Sequence, residues 1–156
     1  MTDFDQVAAA LVSELQDASA LSYVPDDSIV KRLKESDVPK VFTEYAITVS
    51  LGGIPQPVNR LGGLVETTFP LDIKLFVKFA GATRTELVEG RGSKAGLGTF
   101  IKDVQETLVQ SDLGGVLTRP GKPLPGGAIS YDGEDTQTPT AKVVMTYHAA
   151  VKEQKG

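Results

Sequence analysis

The residues whose types and spacing could bind a phosphate lie between Gly90 and Gly98, in the run GRGSKAGLG. The backbone N–H groups of such a run, placed at the start of a helix, would attract an anion. A P-loop, however, needs four residues between its first glycine and a Gly-Lys-Ser/Thr run, and this arrangement is missing. A dinucleotide loop needs a buried strand before it, whereas Arg84 to Glu89 is polar. We therefore predict a flexible loop that leads into a helix.

Catalysis by an imidazole would have to use His148, the single histidine of the chain. The sequence has no Gly-x-Ser-x-Gly elbow to supply a serine nucleophile, and one histidine is not a metal site. The chain also lacks cysteine, which excludes a thiol nucleophile and a Cys-bound metal. His148 is therefore predicted to be an exposed histidine on the polar face of a strand.

The remaining chemistry-bearing group is the acidic cluster of Asp132, Glu134 and Asp135. It lacks the twelve-residue loop and terminal glutamate of a calcium-binding hand. Carboxylates could hydrolyse a glycoside, but the sequence has no Trp and only 6% aromatic residues to line a sugar groove. We predict a solvated hairpin tip, no metal, no cofactor and no enzymatic activity. An enzyme that uses carboxylates alone is the weakest of the alternatives.

Charge and length restrict the class of protein further. With 156 residues we predict a single domain, 1–156. The net charge is −4, and the six carboxylates that precede Lys31 have no basic residue among them. This distribution disfavours a protein that grips nucleic acid, since such proteins carry a basic stripe. The acidic start and the lack of a long apolar run predict no signal peptide, no membrane segment and synthesis in the cytoplasm.

Hydrophobic periodicity predicts the elements that would position these residues. The pattern from Val41 to Leu51 alternates and indicates a half-buried strand. The two main helices are predicted at 3–18 and 94–110, with Ser93 as the cap of the second. The other elements, in order, are a short helix with Ile29, Val30 and Leu33 that ends before Pro39, an irregular loop at 54–64, a strand at 67–79, a loop at 80–93, a loop at 118–127, and strands at 128–131 and 141–151.

Each predicted strand has one apolar face, and each main helix has one apolar stripe. This pattern favours an α+β fold, a two-layer sandwich in which a mostly antiparallel or mixed four-stranded sheet carries both helices on one face. Phe76 is unusual because it interrupts the polar face of its strand. Its ring is predicted to be partly covered by a loop, or otherwise to contribute to a subunit interface.

The order of these elements resembles the tail terminator (tail completion) proteins of long-tailed bacteriophages. The resemblance covers most of the chain. It rests on the helix from Phe4 to Ala18, a strand followed by a long Gly/Pro loop, and three segments of sequence: PLDIKLFVKFA at 70–80, KAGLGTFIKDVQETLVQSDLGGVL at 94–117, and KVVMTYHAAV at 142–151.

The resemblance implies a structural virion protein without a cofactor, located in the tail or neck. Such a protein forms a ring, usually a hexamer, that caps the tail tube and offers the head completion or connector protein a joining surface. DNA would pass through the ring without specific binding. The alternatives are another neck or minor tail component, or a small non-viral protein-binding module. The candidate contact residues are Arg60, Phe76, Arg84, Arg91 and Lys94, and the alternative for each basic one is a solvated loop charge.

Overall fold

A computed structural model describes residues 3–31, 42–59 and 61–154 of the chain. These residues form three α-helices, α1 (Phe4–Asp17), α2 (Arg84–Glu89) and α3 (Leu97–Leu108). Short 3-10 turns lie at Ser19–Leu21, Asp26–Ser28 and Leu61–Gly63. The strands are β1 (Ile29–Lys31), β2 (Tyr45–Leu51), β3 (Gln56–Asn59), β4 (Leu64–Lys78), β5 (Gly90–Arg91), β6 (Lys94–Ala95), β7 (Leu124–Asp132) and β8 (Thr140–Gln154).

Two 15-residue strands, β4 and β8, form the centre of a mixed sheet. The strand order is β1-β2-β4-β8-β7, and β3 pairs with the first part of β4, beyond the end of β2. The β1–β2 pair is parallel and the other pairs of this sheet are antiparallel. The predicted α+β class is confirmed, but the sheet has six strands among the described residues instead of four. Strands β5 and β6 form a separate two-stranded ribbon.

Both main helices pack against one face of this sheet, which we call the inner face. The apolar stripe of α1 includes Leu11 and Leu15, that of α3 includes Phe100 and Val104, and all four side chains are fully buried. They belong to one core with the alternate residues of β4, from Phe69 to Val77, as the predicted alternation requires. The two-layer sandwich follows from matching these three apolar surfaces.

Aromatic side chains connect the helical layer to the sheet. The ring of Phe100 lies 5.8 Å from that of Tyr23 and 5.7 Å from that of Tyr45, both edge to face. Tyr23 donates a hydrogen bond of 2.7 Å to the carboxylate of Asp103, and Tyr45 donates one of 2.7 Å to the carbonyl of Ala95. Burial is the main reason that the pKa of Tyr45 is raised to about 12, so this hydroxyl stays protonated at neutral pH.

A comparison of three Tyr→Phe variants measures how much each hydroxyl group contributes to the free energy of unfolding. Tyr23→Phe is expected to lower the free energy of unfolding by about 1.5–3 kcal/mol because a hydrogen bond to a charged group is lost, and Tyr45→Phe by about 1 kcal/mol. The hydroxyl of Tyr147 is buried and makes no hydrogen bond of good geometry with a described residue. Tyr147→Phe should therefore leave stability unchanged or raise it. Urea unfolding measures all three, and a large loss for Tyr147→Phe would contradict this assignment.

The predicted short helix after Asp26 is wrong where the structure describes it. Asp26–Ser28 is a single 3-10 turn, and Ile29–Lys31 continues as β1, with Ile29 paired to Ile47 of β2. The β-branched side chains of Ile29 and Val30 suit a strand better than a helix, and tertiary pairing decides between the two. Leu33 and Pro39, and the predicted strand start at Val41, lie outside the described residues.

The prediction that β2 is half-buried is also wrong, because this strand is buried on both faces. Thr48 is 1% exposed and Ser50 is 3% exposed, although both point to the outer face of the sheet. Their partners on β4 are Lys74 and Asp72, whose longer side chains stand beside them. Polarity alone does not predict exposure here, since a small side chain between larger neighbours loses contact with water.

Three predicted loops contain regular structure. Within 54–64, β3 pairs with β4 although it contains Pro57, which an edge strand tolerates. Within 80–93, α2 begins after Thr83, which forms a capping box with Glu86. Within 118–127, β7 already begins at Leu124. The second main helix and the last strand are confirmed, with observed bounds Leu97–Leu108 and Thr140–Gln154, but Gly96 is the N-cap of α3 and Ser93 is not.

Candidate interaction surfaces

The glycine-rich run owes its composition to backbone geometry. Gly90 ends α2 with a φ of 108°, and the chain then turns through the β5–β6 hairpin into α3. At Gly96, a Cβ atom would lie only 2.4 Å from the carbonyl oxygen of Val88, so a side chain would collide with α2. The flexible loop that the sequence analysis predicted is therefore a compact hairpin between two helices. The backbone geometry of this hairpin explains its glycines without a bound nucleotide.

The single histidine and the acidic cluster lie at different places on the sheet. His148 is exposed on the outer face of β8, opposite Pro70 of β4, as predicted. Glu134 lies in the β7–β8 connection, where Arg84 of α2 donates two hydrogen bonds to its carboxylate. The guanidinium group lowers the pKa of Glu134. Within the described ranges, no group of three or more His, Cys, Asp or Glu residues could hold a metal ion.

The three described basic candidates all form ion pairs within the chain. Arg84 binds Glu134, Arg91 binds Glu86 at 2.8 Å, and Lys94 binds Glu44. Arg91 also donates a hydrogen bond of 2.6 Å to the carbonyl of Ala80. These side chains thus hold the segment from 80 to 96 against its surroundings while they remain partly exposed, and they are not simply solvated. Arg60 lies outside the described residues.

Phe76 is covered within the chain. It is only 3% exposed, and the ring of Phe42 lies 6.0 Å from its ring, with the ammonium group of Lys78 4.2 Å from the centre of the Phe42 ring. The interpretation that part of the chain covers this ring agrees with the structure. Because its ring is not accessible in this conformation, Phe76 does not belong to the contact surface that we propose below.

An exposed apolar surface lies instead on the segment between β2 and β3. Ile54 is 82% exposed and Val58 of β3 is 47% exposed. Ile54 also lines a groove of about 130 Å³ with Gln56, Thr68, Pro70 and His148 on the outer face of the sheet. We call Ile54, Val58 and this groove the arm surface. This combination of exposed apolar side chains and a groove makes the arm surface our candidate for a protein contact.

Two lysines lie on the outer face of β8, and the part of the same face that β4 forms carries Glu66, opposite Lys152, and Asp72, opposite Thr146. Alternation places Lys142, Val144, Thr146, His148 and Lys152 on this face, which carries no carboxylate from β8 itself. Lys142 and Lys152 form no ion pair with a described residue. The two lysines lie near opposite ends of β8, roughly 33 Å apart on an extended strand.

The helical layer has an acidic groove near the ends of α1 and α3. α1 contains acidic residues and no Lys or Arg. Glu14 and Asp17 line a groove of about 320 Å³ with Glu106 of α3, and Ala18 and Ser19 complete its floor. Among the described residues, Glu14 and Asp17 have no ion-pair partner, and Glu106 has only Lys102 at 3.9 Å, with both side chains exposed. We call this groove the acidic groove.

No family model and no curated protein matches this sequence. The candidate surfaces therefore depend on the geometry of the chain alone. Within the described part of the chain, no helix is long and apolar enough to cross a membrane.

Sequence reasoning missed the residues of the arm surface and of the acidic groove. The sequence could have indicated that Ile54 is exposed. An isoleucine between Gly53 and Pro55 has no apolar neighbours at helix or strand spacing, so it does not belong to a buried stripe. The sequence signal for the acidic groove is weaker. It consists of the acidic residues of α1. Their approach to Glu106 depends on the packing of α1 beside α3, which the sequence does not specify.

Proposed function

We propose that this protein is a structural virion protein that forms a ring, caps the tail tube of a long-tailed phage and offers the head a joining surface. The observation that supports the proposal best is the arm surface, where Ile54 is 82% exposed and Val58 is 47% exposed beside a groove. The confirmed α+β sandwich is consistent with the element order on which the family resemblance rests.

Charge supports the same proposal. The net charge of −4 is compatible with a channel through which DNA slides without adhering, since like charge repels the phosphate backbone. The partners of the proposed ring are sister subunits, the tail tube protein and the head completion or connector protein. No part of this role requires a cofactor or a reaction.

Imaging of tail tubes mixed with the protein tests this function directly. We expect negative-stain images to show added density at one end of each tube, and tubes capped in this way should no longer elongate when tube protein is added. The matched control is bovine serum albumin or another acidic protein of no relation to tails. Unaltered tube ends and continued elongation at saturating protein would contradict the proposed function.

A further inference from the structure

We infer that Pro57 and Pro125 prevent the sheet of this chain from continuing into the sheet of another molecule, so that other molecules bind it through side chains and not through backbone pairing. A sheet edge with unpaired N–H and C=O groups is a template for a further strand. In the described part of the chain, the edges of the main sheet are β1, β3, β7 and the end of β8 that β7 does not reach. The inference goes beyond the proposed function, because it holds for any role of the chain.

The backbone hydrogen bonds of β4 show how the strands beside it are oriented. The carbonyl of Pro70 accepts a hydrogen bond of 2.8 Å from the N–H group of Gly52, and the N–H group of Lys78 donates one of 2.8 Å to the carbonyl of Glu44. Gly52 and Glu44 directly flank β2. The even-numbered residues of β4 therefore direct their backbone groups to the side on which β2 and β3 lie.

This orientation places the backbone of Pro57 at the free edge of β3. Gln56 and Val58 stand opposite even-numbered residues of β4, so their backbone groups point towards β4. Pro57 lies between them and points the other way. Because proline has no N–H group, the free edge of this four-residue strand has a single N–H donor, that of Asn59.

The same reasoning places the backbone of Pro125 at the free edge of β7. The odd-numbered residues of β4 bond to β8, so the even-numbered residues of β8 direct their backbone groups to the side of β7. The 2.8 Å hydrogen bond from Thr118 to the carbonyl of Ala150 has this direction. Leu124 and Gly126 stand opposite even-numbered residues of β8, and Pro125 between them therefore points away from β8, again without an N–H donor.

The rest of the β7 edge is interrupted by a bulge. Between Gly126 and Ser130, three residues of β7 stand opposite the single residue Val143 of β8. A bulge bends the strand and disturbs the regular spacing that a further strand needs. At the end of β7, the guanidinium group of Arg84 lies 4.4 Å from the centre of the Tyr131 ring and adds a charge beside the strand.

The two remaining edges are protected by length and by cover. β1 has three residues and ends at Lys31, and both a short strand and a lysine disfavour edge pairing. The end of β8 that β7 does not reach is accompanied by the segment 118–123, which begins at the hydrogen bond from Thr118 to Ala150. Pro57 and Pro125 are thus the protective features that a single substitution at each edge can remove.

Replacement of both prolines with threonine tests the inference, because threonine restores an N–H group and is β-branched and polar. We would compare the wild type with Pro57→Thr/Pro125→Thr by sedimentation velocity over a range of protein concentrations and by thioflavin T fluorescence. The double variant should associate at a protein concentration about tenfold lower than the wild type or less, and it should gain thioflavin fluorescence, since each new donor lets a further strand pair.

Pro25→Thr is the matched control, because Pro25 is exposed and precedes a 3-10 turn outside the sheet. This variant should associate like the wild type. Circular dichroism and the melting temperature establish that each variant is folded. A folded double variant that associates like the wild type, a control that associates as strongly as the double variant, or a wild type that itself binds thioflavin T would each overturn the inference.

The inference and the proposed function fail in different ways. Thioflavin-binding association of the double variant, with no effect of the wild type on tail tubes, would support the protection of the edges and contradict the proposed function. Capping of tubes by the wild type, with a double variant that associates no more strongly, would contradict the protection of the edges and leave the function standing.

Discussion

Replacement of Phe100 with alanine is expected to lower the free energy of unfolding by about 3–5 kcal/mol, which is a large share of the roughly 5–15 kcal/mol typical of a domain. Phe100 is fully buried, and its ring packs edge to face against Tyr23 and Tyr45. Its removal would leave a cavity between α3 and the sheet and would deprive both tyrosines of their aromatic partner. Urea unfolding, followed by circular dichroism, measures the loss.

Two further substitutions in α3 and at its end show whether the loss comes from burial. Phe100→Leu keeps most of the apolar volume and should cost clearly less than the alanine variant, about 1.5 kcal/mol or less if the site repacks. Val109→Ala alters an exposed side chain directly after the helix and should change stability by less than about 0.5 kcal/mol. Equal effects of Phe100→Ala and Val109→Ala would show that α3 does not pack through this ring.

The elements that the sequence predicted correctly are those in which a single surface is buried. The stripe of α1 and the alternation of β4 specify one face each, and the structure buries these faces in one core. From two such helices and several one-faced strands, the layer architecture follows almost without alternatives. The sheet order does not follow in this way, because the central pair joins β4, which ends at Lys78, to β8, which begins only at Thr140.

The wrongly predicted loops have a different cause, namely a reliance on Gly and Pro as signs of irregular structure. Pro57 is compatible with β3 because β3 lies at an edge of the sheet. Gly90 and Gly96 serve a compact hairpin, where the close approach of Val88 leaves no room for a side chain. Whether a glycine permits a loop or a tight contact depends on what packs against it, and this information is distributed over the whole fold.

The candidate contact surface could be predicted only in part. Arg84 and Arg91 are predicted contact residues because they lie near the long loops, but the structure gives them Glu134 and Glu86 as partners. Exposure decides which residues are available for a contact, and exposure depends on the tertiary arrangement. The exposed apolar residues of the segment after β2, Ile54 and Val58, became evident only from the structure.

The variant Ile54→Ser/Val58→Ser is expected to weaken self-association by about tenfold or more while leaving the free energy of unfolding within about 0.5 kcal/mol of the wild type. Both side chains are exposed in the isolated chain, so their replacement removes little buried area from the fold. If they become buried between subunits, the same replacement removes apolar area from the centre of the interface, where contact energy is concentrated. Sedimentation velocity and urea unfolding measure the two quantities on the same samples.

The matched control for this variant is Asn59→Ser, which alters an exposed polar residue of β3 that does not line the groove. Because polar side chains at a rim contribute little to binding, this control should associate like the wild type. A loss of association in both variants would indicate that the fold of β3 is disturbed, and no loss in either would remove the arm surface from the interface. If association is lost in Ile54→Ser/Val58→Ser and kept in the control, the exposed apolar side chains of the arm surface take part in assembly. Such a result would connect the fold of this chain to its proposed function.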